Sequence, residues 1–133
     1  MFRRGSSIGL FGRFGRSEDL RRLDEALRAL DVHPMTVKEA VKLAAIRLMR
    51  DAEGRDDPSP GAYGPAAEIV AYCMMGPDPF AHANGEAALA RVERRVERAL
   101  DHPDALDASL VLLAMTSGII SPEVVEKFGL EAE

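Results

Sequence analysis

An all-α fold is predicted for this chain by three observations. Twenty alanines and 6 methionines stand beside 2 tyrosines and no tryptophan, a composition that favours helix-on-helix packing over sheets built from β-branched and aromatic residues. Apolar residues recur at spacings of three and four along most of the chain, the period of a helix with one buried face. Glycine and proline interrupt these stretches at intervals of about a helix length. The expected architecture is a single-domain bundle of five to six helices over residues 17–133, preceded by a flexible basic arm at residues 1–16. A chain of 133 residues is long enough to bury roughly two-thirds of its unfolded surface.

The elements follow in order. Ser17 is placed to cap a first helix, with Glu18 and Asp19 in its first turn, where the helix dipole favours acids. Leu20, Leu23, Leu27 and Leu30 form its apolar stripe, with Glu18–Arg22 and Asp24–Arg28 as i,i+4 pairs, and it ends near Asp31. Thr36-Val37-Lys38-Glu39 carries the capping-box pattern and opens a second helix, which buries Val37, Val41, Ala44 and Leu48 and closes at Gly54. Residues 54–64 read as a loop. Pro65 then takes the first position of a helix reaching Met75 whose only charge is Glu68, and such a helix belongs at the centre. Asp78-Pro79 begins one short helical turn that stops at Asn84-Gly85.

Glu86 to Leu100 has Leu89, Val92, Val96 and Leu100 on one side and charges on the other. Residues 104–117 form a second mostly buried helix through Leu106, Leu110, Val111 and Leu113. Ser121-Pro122-Glu123 starts a last helix, which Gly129 ends, with Leu130 set to pack back on Val125 in a Schellman cap. Arg28 to Pro34 also echoes Arg98 to Pro103, so a three-helix unit used twice is an alternative architecture. Apolar stripes such as that of the first helix serve an internal core or a homodimer seam equally well.

Charge separates the arm from the rest. Residues 1–16 hold Arg3, Arg4, Arg13 and Arg16, no acid, four of the 11 glycines and Phe2, Phe11 and Phe14. The remainder carries 13 basic and 22 acidic residues, a balance of −9 against the whole-chain −5. So acidic a body argues against nucleic-acid binding, because phosphates demand a basic face. The expected partner-binding residues are Arg3, Arg4, Phe11, Arg13, Phe14 and Arg16, acting on a protein groove or, in an alternative reading, on an anionic membrane surface. Initiation at Leu10 would leave only Arg13 and Arg16 of the four arginines. The apolar stretch around Ile8 is broken by Gly9 and Gly12 and is too short for a signal peptide, and the single cysteine excludes an internal disulfide; a cytoplasmic protein is expected.

Motifs for chemistry are sparse. Cys73 sits in an apolar segment, with His82 and Asn84 near it in sequence; the reading as a buried thiol outweighs that as a nucleophile. His33, His82 and His102 have no metal-ligand spacing, and two of them precede proline, where helix-end hydrogen bonding accounts for them. Gly9, Gly12 and Gly15 lack the strand and lysine of a phosphate loop, and no metal or cofactor is expected. Glu68 is the one acid in an apolar setting, and it either pairs with an arginine of a neighbouring helix or points to the loop side. The favoured function is a small non-enzymatic protein-interaction module acting through the arm or an exposed helical groove, with an enzyme built around Cys73, His82 and Glu68 as the remaining alternative.

Overall fold

Apolar side chains at every angle around one segment decide where the core lies. The computed structural model describes residues 18–130, which form seven α-helices and no strand. They are α1 (residues 18–29), α2 (Glu39–Glu53), α3 (Tyr63–Met75), α4 (Pro77–Asn84), α5 (Glu86–Leu100), α6 (Leu106–Thr116) and α7 (Pro122–Phe128), with 3₁₀ turns at Pro34–Thr36 and Pro60–Ala62. The count exceeds the five to six expected because Pro77, at the first helical position, starts a full eight-residue helix where one turn was predicted.

α3 is the central helix, as its composition predicts: Ala67, Ile69, Ala71, Tyr72 and Cys73 have no exposed surface. The other helices pack their stripes around it, with Leu23 and Leu27 from α1, Ile46 and Met49 from α2, Phe80 from α4, Val92 and Val96 from α5, Leu110 from α6 and Val124 from α7. The α1 stripe therefore serves the internal core. Tyr72 meets Phe80 and Phe128 edge-on, with ring centroids 5.7 and 6.4 Å apart, the geometry that the ring quadrupoles favour.

Most polar groups that enter this core arrive paired, as burial requires, and among the described residues Arg50 Nε is the exception, buried without a hydrogen-bond partner. Asp19 of α1 accepts hydrogen bonds from Arg50 Nη2 of α2 (2.6 Å) and from the Tyr63 hydroxyl of α3 (2.8 Å), joining three helices. Lys42 Nζ donates to Asp24 Oδ1 at 2.9 Å and to the Pro34 carbonyl at 3.3 Å. This cross-helix pair takes Asp24 in place of the expected Asp24–Arg28 contact, whereas Glu18–Arg22 forms at 2.9 Å. The Tyr72 hydroxyl donates to Glu93 Oε2 at 2.7 Å, a polar link between α3 and α5.

Several boundaries move for local reasons. Thr36 does not cap α2: Pro34 sets up a 3₁₀ turn in which the Thr36 hydroxyl donates to the His33 carbonyl at 2.6 Å, and α2 starts at Glu39 behind Lys38. Val37 and Val41 are buried as expected, and the buried face continues through Ala45, Ile46 and Met49, leaving Ala44 and Leu48 only partly covered. α3 begins two residues before Pro65, because the 3₁₀ turn at Pro60–Ala62 runs straight into it. In the second half, Leu106 and Leu113 are half-buried and Leu100 is exposed, since Ala99 and Ala114 take the inward positions beside Val96 and Leu110. The echo of Arg28–Pro34 in Arg98–Pro103 does not extend to the backbone of its aspartate: Asp31 is left-handed at φ 71°, while Asp101 is right-handed at φ −95°.

Helix ends behave as the punctuation predicts. Gly54 and Gly129 close α2 and α7 with φ of 65° and 63°, and the Leu130 N–H bonds the Val125 carbonyl at 2.9 Å, completing the expected Schellman cap. Ser121 caps α7 through the Glu123 N–H, and its own N–H donates to the Cys73 carbonyl at 2.6 Å, fastening α7 to the end of α3. Gly76 has φ 86°, and a Cβ there would lie 3.0 Å from Ser121 Oγ, so this junction admits glycine alone.

Candidate functional site

The three residues nominated for catalysis do not converge. Cys73 is wholly buried in α3, and burial pushes its thiol up to about 12, so it is neither a thiolate near neutral pH nor accessible. His82 stands exposed on α4. Glu68 is buried, and both its oxygens are taken by α5: Arg91 Nη2 reaches Oε2 at 2.7 Å and Arg95 Nη1 reaches Oε1 at 2.9 Å. Arg95 also grips Asp107 of α6 in two-pronged fashion, at 3.1 and 2.9 Å, and donates to the Pro65 carbonyl at 3.0 Å. Glu68 thus anchors a clamp across α3, α5 and α6, with the arginine partner that its apolar setting demands.

The histidines of the two linkers serve helix ends. His33 Nδ1 accepts from the Met35 N–H at 3.1 Å, and His102 Nδ1 lies 2.9 Å from the Arg98 carbonyl. Among the described residues no group of three or more metal-ligating side chains gathers. The expected partner-binding residues Arg3, Arg4, Phe11, Arg13, Phe14 and Arg16 all lie outside the described residues.

A surface feature that the sequence stripes did not anticipate lies along α6. Apart from Asp107, which turns to Arg95, Ser109 and the terminal Thr116, this helix carries only apolar side chains. Its inward side, Leu110, Val111 and Ala114, packs on the core. No helix of the described residues covers Leu112 on its outward side, and it is 57% exposed. Between this side and the end of α5 runs a groove of about 260 Å³, walled by Leu100 and Pro103 on one side and by Ala108, Leu112 and Met115 on the other. Leu130, turned back by the Schellman cap of α7, and the buried Val111 and Ala99 also line it.

The chemistry of the groove is that of an apolar trough with a charged frame. Ser109 is the single polar side chain among its lining residues, so a ligand would be held by burial and shape rather than by a polar grip. Around the turn from α5 to α6, Glu97, Asp101 and Asp104 are exposed against one arginine, Arg98. An adjoining cleft of about 320 Å³ includes Arg95, Arg98 and His102, but its Arg95 is committed to Glu68 and Asp107. A third, of about 190 Å³, sits at the α3–α4 junction beside Glu123. None of these clefts is lined by Cys73, His82 or Glu68.

The signal for the groove is present in the sequence as an excess. Residues 106–116 carry only Asp107, Ser109 and Thr116 as polar side chains, more apolar surface than the packing of α6 on α2, α3 and α5 covers, and Leu112 is left exposed. No protein-family model, no curated protein and no solved structure matches this chain. No helix of the described residues is long and apolar enough to cross a membrane.

Proposed function

We propose that this chain is a small, non-enzymatic, cytoplasmic protein-interaction module that receives an apolar segment of a partner in the groove between α5 and α6. The observation that carries the reading is the placement of Leu100 and Leu112, 48% and 57% exposed, on the two walls of one concave trough. Singly exposed leucines need no explanation, but two flanking a shared apolar cleft match the groove-and-anchor mode of peptide recognition. Covering both returns on the order of 1 kcal/mol or more for each side chain, which favours a partner with two or more apolar anchors. The acids Glu97, Asp101 and Asp104 favour basic residues beside those anchors.

Co-purification from cells tests this with two variants of the full chain, Leu112→Glu in the groove and Arg47→Glu on the exposed side of α2. Proteins that accompany the unaltered chain are expected to be retained by Arg47→Glu and lost by Leu112→Glu, at unchanged folded stability. Retention by both variants to the same extent rejects the groove as the binding surface.

A further inference from the structure

Two helices make the long walls of the groove, and that restricts what can be laid in it. Away from their ends α5 and α6 bond their backbone N–H and C=O groups internally, so neither wall offers a strand edge. Ser109 is the single polar side chain in the lining. An extended segment on this surface would turn about half of its backbone donors and acceptors toward a floor that cannot answer them, at the cost of their water. A helix brings no such groups, because its backbone is bonded within itself. It is also ~10 Å across, so it bridges the mouth of the trough and lowers side chains from one face between Leu100 and Leu112. We propose that the groove's occupant is an amphipathic α-helix of a separate partner protein, with apolar residues at i, i+3 and i+7 and basic residues along one edge of that stripe only. The inference rests on the groove being a docking surface and adds the conformation and charge pattern of what docks.

The one-sided charge follows from the difference between the walls. On α5, Glu97 stands one helical turn before Leu100 and Asp101 directly follows it, while Asp104 neighbours the lining residue Pro103; all three acids are exposed. Among the described residues none of the three forms an ion pair. Arg95 and Arg98 line the adjoining cleft instead, and none of the groove's lining residues is basic. The α6 wall carries no free charge: past Asp107, which Arg95 holds, the helix runs from Ala108 to Thr116 without an ionisable side chain. A helix between these walls therefore meets acids along one flank and an uncharged surface along the other. A second copy of this chain docked about a two-fold axis would bring the same acidic turn to the interface twice, and an anionic membrane would set its headgroups against it. Charge favours a basic-edged helix over both.

The test uses the purified full chain and three fluorescein-labelled synthetic peptides of about 16 residues, read by fluorescence anisotropy. The first carries leucines at helical spacing, lysines along one edge of that stripe, and alanine and glutamine elsewhere. The second has the same composition with its leucines at strand spacing, and the third is the first with glutamate for each lysine. The first is expected to bind at least tenfold more tightly than the second and several-fold more tightly than the third. Leu112→Gln or Leu100→Gln, each removing one apolar wall without adding charge, weakens it at least tenfold, and Glu97→Gln/Asp101→Asn several-fold, with the circular dichroism of the chain unchanged. Equal binding of the strand-spaced peptide with the same dependence on Leu112 overturns the helical occupant and leaves the groove a docking surface. Equal or tighter binding of the acidic peptide overturns the charge pattern. No binding of the first peptide at millimolar concentration, or binding that neither leucine variant weakens, overturns the proposal. In sedimentation the chain alone is expected to have the mass of one copy; a dimer dissociated by Leu112→Gln would make a second copy the occupant and overturn it too. The docking reading is judged separately by Leu112→Glu in cells, because that comparison does not depend on the conformation of the occupant.

Discussion

Glu68 shows how a single residue can be legible in sequence while its role is not. A lone carboxylate in an apolar helix must find a cation, and that much follows from the cost of burying charge. Which cation it finds depends on how α5 is rotated against α3. Arg91, Arg94, Arg95 and Arg98 are equally available in the sequence, and only Arg91 and Arg95, one helical turn apart, face Glu68. Glu68→Ala is expected to destabilise the fold by about 2–4 kcal/mol, since Arg95 would remain mostly buried with Asp107 as its one carboxylate partner. Urea denaturation followed by circular dichroism measures this; a loss below about 0.5 kcal/mol would mean that the clamp is solvated. Cys73 was equally legible, because a thiol amid alanine, isoleucine and tyrosine on a central helix has no route to solvent.

At the scale of elements, the helices were readable because their periodicity and breakers agree, and the errors fall where two local signals compete. Thr36 has the sequence of a cap, but the preceding proline claims it for a 3₁₀ turn. The end of α1 illustrates a different compromise. Asp31 occupies the left-handed position of a Schellman cap, with the Val32 N–H on the Leu27 carbonyl at 3.0 Å and the Asp31 N–H on that of Arg28 at 3.0 Å. Glycine closes α2 and α7 in the same conformation without steric cost, and an acid at a helix C-terminus also opposes the dipole. Asp31→Gly is therefore expected to stabilise the protein by about 0.5–1 kcal/mol, seen as a rise in the urea midpoint at unchanged slope. A fall in the midpoint would show that Asp31 makes a compensating contact.

For the whole molecule, the all-α class was legible from composition and spacing, whereas the groove was legible only as an apolar excess in α6, because an apolar stripe does not reveal whether a neighbouring helix covers it. Leu100 and Leu112 look like core residues in sequence and become surface residues only through the order in which seven helices pack. The same burial that gives the core its density makes the fold sensitive to alkali. Desolvation raises the ionisation of Cys73 to about 12 and that of Tyr63 and Tyr72 still further, and hydrogen bonds to Asp19 and Glu93 raise the tyrosines again. All three lose protons more readily when unfolded, so their contribution is fully present below the unfolded range, which begins near ~8.5 for the thiol, and is lost as pH rises through the folded values. The urea midpoint should decline from about pH 9 upward, and Cys73→Val should soften the decline; a midpoint level to about pH 11 would contradict this ordering.

The central claim is that the uncovered side of α6 exists to be covered by a partner. Photo-cross-linking in living cells, with p-benzoylphenylalanine replacing Leu112 or, as control, Arg47, tests it most directly. A discrete adduct to another protein from position 112 and none from position 47 is the predicted result. The absence of any protein adduct from position 112, or the same adducts from both positions, would contradict it.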